Sequence, residues 1–200
     1  MDQLQPCTYY HIFNHANGDE ALFREPENYR YFLQQYYKHI NGIADTYAYC
    51  LMRNHFHLLV RLETAEAITA HLPGFKNLAG VAASNLLSKQ FSNFFNGYSK
   101  AFNKKYERRG SLFLENFTKK AILQKDYLAA VILYIHLNQV KHGFTQHPAH
   151  WNVSSFHNFH VERLPVLKAL YENSENYFRL HEGKINSYAE YDNLERYLLN

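Results

Sequence analysis

The chain has no apolar run approaching the roughly 18 to 20 residues that a membrane-crossing helix needs, so a membrane partner is not expected. Met1-Asp2-Gln3 opens no signal-like segment, which leads us to expect a cytoplasmic protein. Cysteine is scarce, with 2 in 200 residues. Cys7 and Cys50 resemble no zinc knuckle, fall in segments expected to be strands, and read as core packing rather than redox groups. Charge of one sign is not in large excess either: the net charge is +3 with histidines neutral, so the chain as a whole is not a polycation. No internal repeat or low-complexity linker divides it. What is present in quantity is apolar surface, since 46% of the residues are hydrophobic, enough for a substantial core in one domain with appendages.

The most informative short segment is His55-Phe56-His57 within MRNHFHLLVRL. Strand side chains alternate faces. Phe56, Leu58, Val60 and Leu62 are expected to line one face and enter a core, while His55, His57, Leu59 and Arg61 line the other, open face. Two neutral imidazoles side by side on a sheet are the beginning of a divalent-metal site. They do not complete one.

A second segment, DYLAAVILYIHLNQVKHG, reads as a helix with both ends marked. Asp126 is the expected N-cap, Lys141 and His142 occupy the last turn, and Gly143 follows as the residue that ends the helix. At about 100° per residue, Tyr127, Ala130, Tyr134, Asn138 and Lys141 share a stripe, with Leu128, Val131, Ile132 and Ile135 as an apolar flank. Tyr134 and Asn138 are one turn apart. That spacing lets an amide oxygen join the two histidines at a metal while a phenol stands beside it. His136 lies off the stripe and is the poorer ligand.

Charge is patterned even though its sum is small. Ser99 to Arg109 carries Lys100, Lys104, Lys105, Arg108 and Arg109 against one acid, Glu107, with Phe102 and Tyr106 interleaved. Cations that neutralise phosphates, alternating with rings that stack on bases, are what a single-strand binding groove needs. The plain alternative is a solvated helix end. Lys119 and Lys120 follow on the next expected strand and extend the patch toward the tyrosine helix.

The order of elements predicts the fold class. A strand over residues 7 to 13 precedes a helix over 27 to 41, in which Tyr29, Phe32, Leu33, Tyr36, Tyr37 and Ile40 recur at helical spacing and which Gly42 ends. Strands over 43 to 52 and 55 to 62 form a hairpin turning at Arg53-Asn54. A long helix marked by Leu87, Phe91, Phe94, Phe95, Tyr98 and Phe102 leads to a strand over 112 to 123 and then to the tyrosine helix. This series predicts an α+β fold, a ferredoxin-like (RRM-like) antiparallel sheet with helices packed on it. Residues 1 to 160 are read as the catalytic domain and 161 to 200 as a C-terminal helical appendage, in which Pro165 and Asn173 interrupt short helical patterns and INSYAEYDNLERYLLN is expected to close with another amphipathic helix.

These residues carry a family resemblance. YYHIFNHANGDEALF at 9 to 23, YAYCLMRNHFHLLV at 47 to 60, ERRGSLF at 107 to 113, YIHLNQVKHGF at 134 to 144 and WNVSSF at 151 to 156 resemble the tyrosine transposases of the histidine-hydrophobic-histidine superfamily, and among them the REP-associated tyrosine transposases. The resemblance spans roughly residues 7 to 160. It implies that His55, His57 and Asn138 hold Mg²⁺ or Mn²⁺ and that Tyr134 attacks single-stranded DNA, often hairpin-bearing, to give a 5′-phosphotyrosine and a free 3′-hydroxyl. Monomer and homodimer both occur among relatives, and the chain does not choose between them. Three positions depart from the family's pattern. Asn138-Gln139-Val140 stands where Asn-Pro-Val is usual, LFLENF with Glu115 and Asn116 stands where relatives have a Trp-Gln-Gly-Arg-Phe stretch, and His15 stands where an arginine is common. The second leaves an expected DNA contact open, and the third implies a phosphate contact that is weaker or pH-dependent.

Two other classes stay open. One is a DNA binder that keeps these residues without turnover, and the other a nuclease whose histidine-held metal activates water in place of Tyr134. An isolated His-x-His in a chain with 13 histidines is usually a pair satisfied by hydrogen bonds, and His147, His150, His157 and His160 read as structural or surface groups. The tyrosine reading rests on conjunction: histidine pair, tyrosine, amide one turn on, and a basic segment, in one order. The DNA-contacting set on this reading is Lys100, Lys104, Lys105, Arg108, Arg109, Lys119, Lys120 and Lys141.

Overall fold

A computed structural model describes residues 2–114, 116–159, 161 and 165–185. The closing helix expected in the last segment, Glu115 and His160 lie outside the described residues, and of Asp126 only the backbone is described.

The core forms where aromatic residues recur at helical spacing. Helix α1, Pro26–Ile40, begins with proline at its first position and a capping box in which Glu25 and Asn28 satisfy each other's backbone N–H groups. It packs on α3, Gly80–Lys105. Phe32 of α1 meets Phe94 of α3 at 4.7 Å between ring centres and Phe56 of the sheet at 5.1 Å. Phe56 in turn lies 5.3 Å from Phe95. Edge-to-face and offset pairs of this kind add to the burial that holds helices to a sheet.

The sheet has four strands in the order β2-β3-β1-β4, made of β1 Tyr9–His15, β2 Ala44–Leu51, β3 His55–Leu62 and β4 Thr118–Ile122. That is the antiparallel ferredoxin-like order expected from the sequence. The hairpin turns at Arg53-Asn54, with Met52 N–H donating to His55 C=O at 2.8 Å. Strands β1 and β3 pair with His15 opposite His55 and Phe13 opposite His57.

The first strand starts two residues later than expected. Cys7 takes a positive φ of 60° in an exposed turn, so the expectation that it packs in the core is corrected. Cys50 is buried and donates from Sγ to Gln139 Oε1 at 3.1 Å. The expected strand over 112 to 123 shortens to β4, and Phe113 makes only an isolated bridge to Ala16. A short helix α2, Ala65–His71, was not foreseen. Thr64 caps it by accepting from Ala67 N–H. Gly42, at φ 81°, leaves the space that the His71 ring fills, where a Cβ would sit 2.2 Å from Nε2.

The tyrosine helix α4 runs Lys125–Lys141. Its N-cap is Gln124, so Asp126 falls in the first turn instead of capping it. Gly143 follows at φ 71°, as a helix-ending glycine does. Helices α5, Pro165–Tyr171, and α6, Ser174–Lys184, come after it. The chain forms two compact units. One comprises residues 1–47 and 51–121, and the other 48–50 and 122–200. The first holds the histidine pair and the second the tyrosine helix.

Candidate active site

In the first unit the pairing of β1 with β3 gathers four imidazoles on one face of the sheet. His55 and His57 are 5.2 Å apart between ring centres. His15 stacks on His55 at 4.6 Å, and His11 lies 5.0 Å from His57 with its ring plane tilted by 19°. The face expected to be open is covered, because His55 and His57 are 3% and 2% exposed. Buried imidazoles need partners. His55 has Asn54, with Nδ1 2.9 Å from Asn54 Oδ1. The amide oxygen only accepts, so His55 donates from Nδ1 and carries its lone pair on Nε2. His57 has His11, with Nδ1 2.9 Å from His11 Nε2. Burial, with the Lys120 charge adding to it, pushes His11 down to about 3, so it is neutral at ordinary pH.

These imidazoles suit a divalent cation as two nitrogen donors. Among the described residues no three His, Cys, Asp or Glu side chains are grouped to hold a metal.

In the second unit, Tyr134 and Asn138 stand one turn apart on α4, at 2% and 0% exposure. The helix is buried continuously from Tyr134 to Val140, all round and not along one stripe. Lys141 is half-buried in its last turn. His136, set aside as a ligand, is a structural group. It contacts Ser155 Oγ at 2.7 Å through Nε2 and Tyr177 Oη at 2.8 Å through Nδ1. Burial holds it well below the ordinary histidine range. His147 likewise serves the backbone, accepting from Ala149 N–H at 3.1 Å.

The basic segment is less free than its composition suggests. Lys105 pairs with Glu25, whose carboxyl the Lys105 ammonium holds below its usual range. Arg108 pairs with Glu20 at 2.5 Å and donates to Asn103 at 2.6 Å. Phe102 is buried, and Tyr106 lies under the Arg24 guanidinium at 4.5 Å, so the interleaved rings are engaged within the fold and are not bare stacking platforms. Lys100, Lys104 and Arg109 are exposed. Lys119 and Lys120 point to opposite faces of β4: Lys119 reaches Ser88 of α3 at 2.9 Å, whereas the Lys120 charge acts on His11. Of these two lysines, Lys120 is the one that brings positive charge to the histidine face.

A groove of about 620 Å³ opens between α3 and residues 110–117. Phe95, Phe113 and Phe117 supply rings and Asn14, Asn96 and Asn116 supply amides, with no charged side chain among the described lining residues. Asn116, one of the departures noted above, is part of this wall. Sequence reasoning passed over two residues that the structure brings to the site, His11 and Asn54. The period-two spacing of His11, Phe13 and His15 puts these rings on one face of β1, as the spacing of His55 and His57 does on β3, and is the signal that could have found the first.

No protein-family model matches the chain, and no curated protein does. Among solved structures the arrangement recurs. A REP-associated tyrosine transposase bound to a REP hairpin superposes with a TM-score of 0.60 over 83% of this chain and 87% of that one, at 17% identity. The chain shares that fold. At such identity the likeness speaks for the architecture of strands and helices, and residue roles have to be argued from the chain's own side chains.

Proposed function

We propose that this chain is a metal-dependent tyrosine transposase acting on single-stranded, hairpin-bearing DNA. The observation that carries the reading is the pair of buried histidines on a central strand of a fold shared with a hairpin-bound transposase. His55 and His57 would hold Mg²⁺ or Mn²⁺, with the amide of Asn138 as the third donor. When bound, the cation neutralises charge that builds on a nonbridging phosphate oxygen. Tyr134 is the nucleophile. Its Oη–P bond forms as the P–O3′ bond breaks in line. The phenolic proton passes to water, and the departing 3′-oxygen takes a proton to become a free hydroxyl. A free phenol ionises only near pH 10, so its ionisation needs help from the metal's field, from Lys141 or from a water acting as base. The product is a 5′-phosphotyrosine that keeps the ester energy, and attack by another 3′-hydroxyl reseals DNA without ATP.

Lys100, Lys104 and Arg109 contact phosphates along the strand, and Lys120 approaches the phosphate at the histidine face. The groove beside α3 suits an unpaired base, since rings can stack on it and amides can hydrogen-bond its edge. One observation favours a second reading, binding without turnover: Tyr134 at 2% exposure must be uncovered before it reaches a phosphorus. A single-turnover nicking assay on hairpin-bearing oligonucleotides with Mn²⁺ separates the two. Cleavage by the parent that Tyr134→Phe abolishes supports the enzyme, and tight binding without cleavage supports the binder.

A further inference from the structure

We propose that His11 is a positioning residue for the histidine pair: by accepting a hydrogen bond from His57 Nδ1–H, it holds that ring in the one tautomer whose Nε2 lone pair can bind a metal. The inference rests on the metal-site reading above.

The argument is one of proton counting. A neutral imidazole has one N–H donor and one acceptor nitrogen. His11 Nε2 and His57 Nδ1 face each other at 2.9 Å, so one proton lies between them. If that proton sits on His57 Nδ1, the lone pair of His57 is on Nε2, and the ring presents the same nitrogen as His55, which Asn54 fixes in the Nδ1–H form. If it sits on His11 Nε2, His57 is forced to carry its own proton on Nε2 and cannot ligate. His11 is fully buried. Its ring is further held by Phe13, stacked at 4.8 Å, which also packs on His57 at 5.7 Å. A hydrogen-bond partner on the non-ligating nitrogen is how proteins orient histidine ligands and raise their basicity. Here that partner is a second histidine on the paired strand.

The test uses the full chain in four forms: parent, His57→Ala, His11→Phe and His11→Gln. Phenylalanine keeps a ring against Phe13 and removes the acceptor, whereas glutamine supplies an amide oxygen that can accept from Nδ1–H. Mn²⁺ binding is read by calorimetry, and the His57 tautomer by ¹⁵N NMR of the metal-free protein. We expect His57 to be protonated at Nδ1 in the parent. His11→Phe should weaken Mn²⁺ binding by roughly 10- to 100-fold and shift His57 toward Nε2–H, and His11→Gln should recover most of both. Parent-like Mn²⁺ affinity in a folded His11→Phe protein, or Nε2–H at His57 in the parent, overturns the proposal. Should His11→Phe fail to fold, the parent tautomer and the glutamine variant still decide. Unchanged Mn²⁺ binding in His57→Ala is a different failure, since it removes the metal site itself.

Discussion

The ion pairs of the basic segment set a quantitative expectation for salt dependence. Each phosphate of a single strand that a protein cation no longer neutralises lowers the log-log salt slope by about 0.7. Five cations were candidates from composition, but Lys105 and Arg108 are occupied by Glu25 and Glu20. A paired cation releases fewer counterions from DNA, because a carboxylate already neutralises it. Lys100, Lys104 and Arg109 form no ion pair among the described residues. Replacing these three by alanine should therefore lower the slope by about 2 while leaving sequence preference nearly unchanged. The Lys105→Ala, Arg108→Ala double variant should lower it by less than about 1. Fluorescence anisotropy on a single-stranded oligonucleotide between about 50 and 200 mM salt measures both. An unchanged slope in the triple variant, or a larger drop in the double than in the triple, would refute the reasoning and make the segment a solvated helix end.

Three further outcomes are expected. Tyr127→Phe should retain cleavage, because Tyr127 lies two turns, about 10 Å, before Tyr134 along α4, and a nicking assay reads this directly. Phe56→Ala should destabilise the fold by about 3–5 kcal/mol in chemical denaturation, since the ring is 0% exposed between Phe32, Phe95 and Phe113. His181 is buried with its Nε2 lacking a hydrogen-bond partner among the described residues, and burial pushes it down to about 4 from an ordinary 6.5. A group whose folded pKa is lowered this way favours the folded state above the unfolded value and opposes it as pH falls. Parent stability attributable to His181 should disappear between pH 6.5 and about 4, and His181→Phe should flatten the fall in Tm across that window.

Local periodicity made much of this molecule legible. The aromatic repeats of α1 and α3, the turn at Arg53-Asn54 and the glycine after α4 are short-range signals, and each element appears close to where it was expected. The histidine pair was legible for the same reason, since alternation along one strand places both rings on one face. What escaped depends on residues far apart in sequence. Glu20 and Glu25 neutralise Arg108 and Lys105 across some eighty positions, and no local pattern announces that. His11 meets His57 only once the register of β1 against β3 is set. Cys7 was misplaced because its apolar character suited a strand, whereas its backbone turns through the left-handed region. The opposite faces of Lys119 and Lys120 follow from strand alternation and were available from the sequence.

The central claim is that Tyr134 becomes covalently joined to DNA. An oligonucleotide labelled on the 5′ side of the cut and another labelled on the 3′ side, each incubated with the parent chain and Mn²⁺ and run on denaturing gels, test it most directly when the adduct is mapped by peptide mass spectrometry. The account predicts that only the downstream fragment is attached, through its 5′-phosphate, to the peptide containing Tyr134, and that Tyr134→Phe forms no adduct. A parent protein that cuts without ever forming the adduct, or a Tyr134→Phe protein that still forms it, would contradict the account.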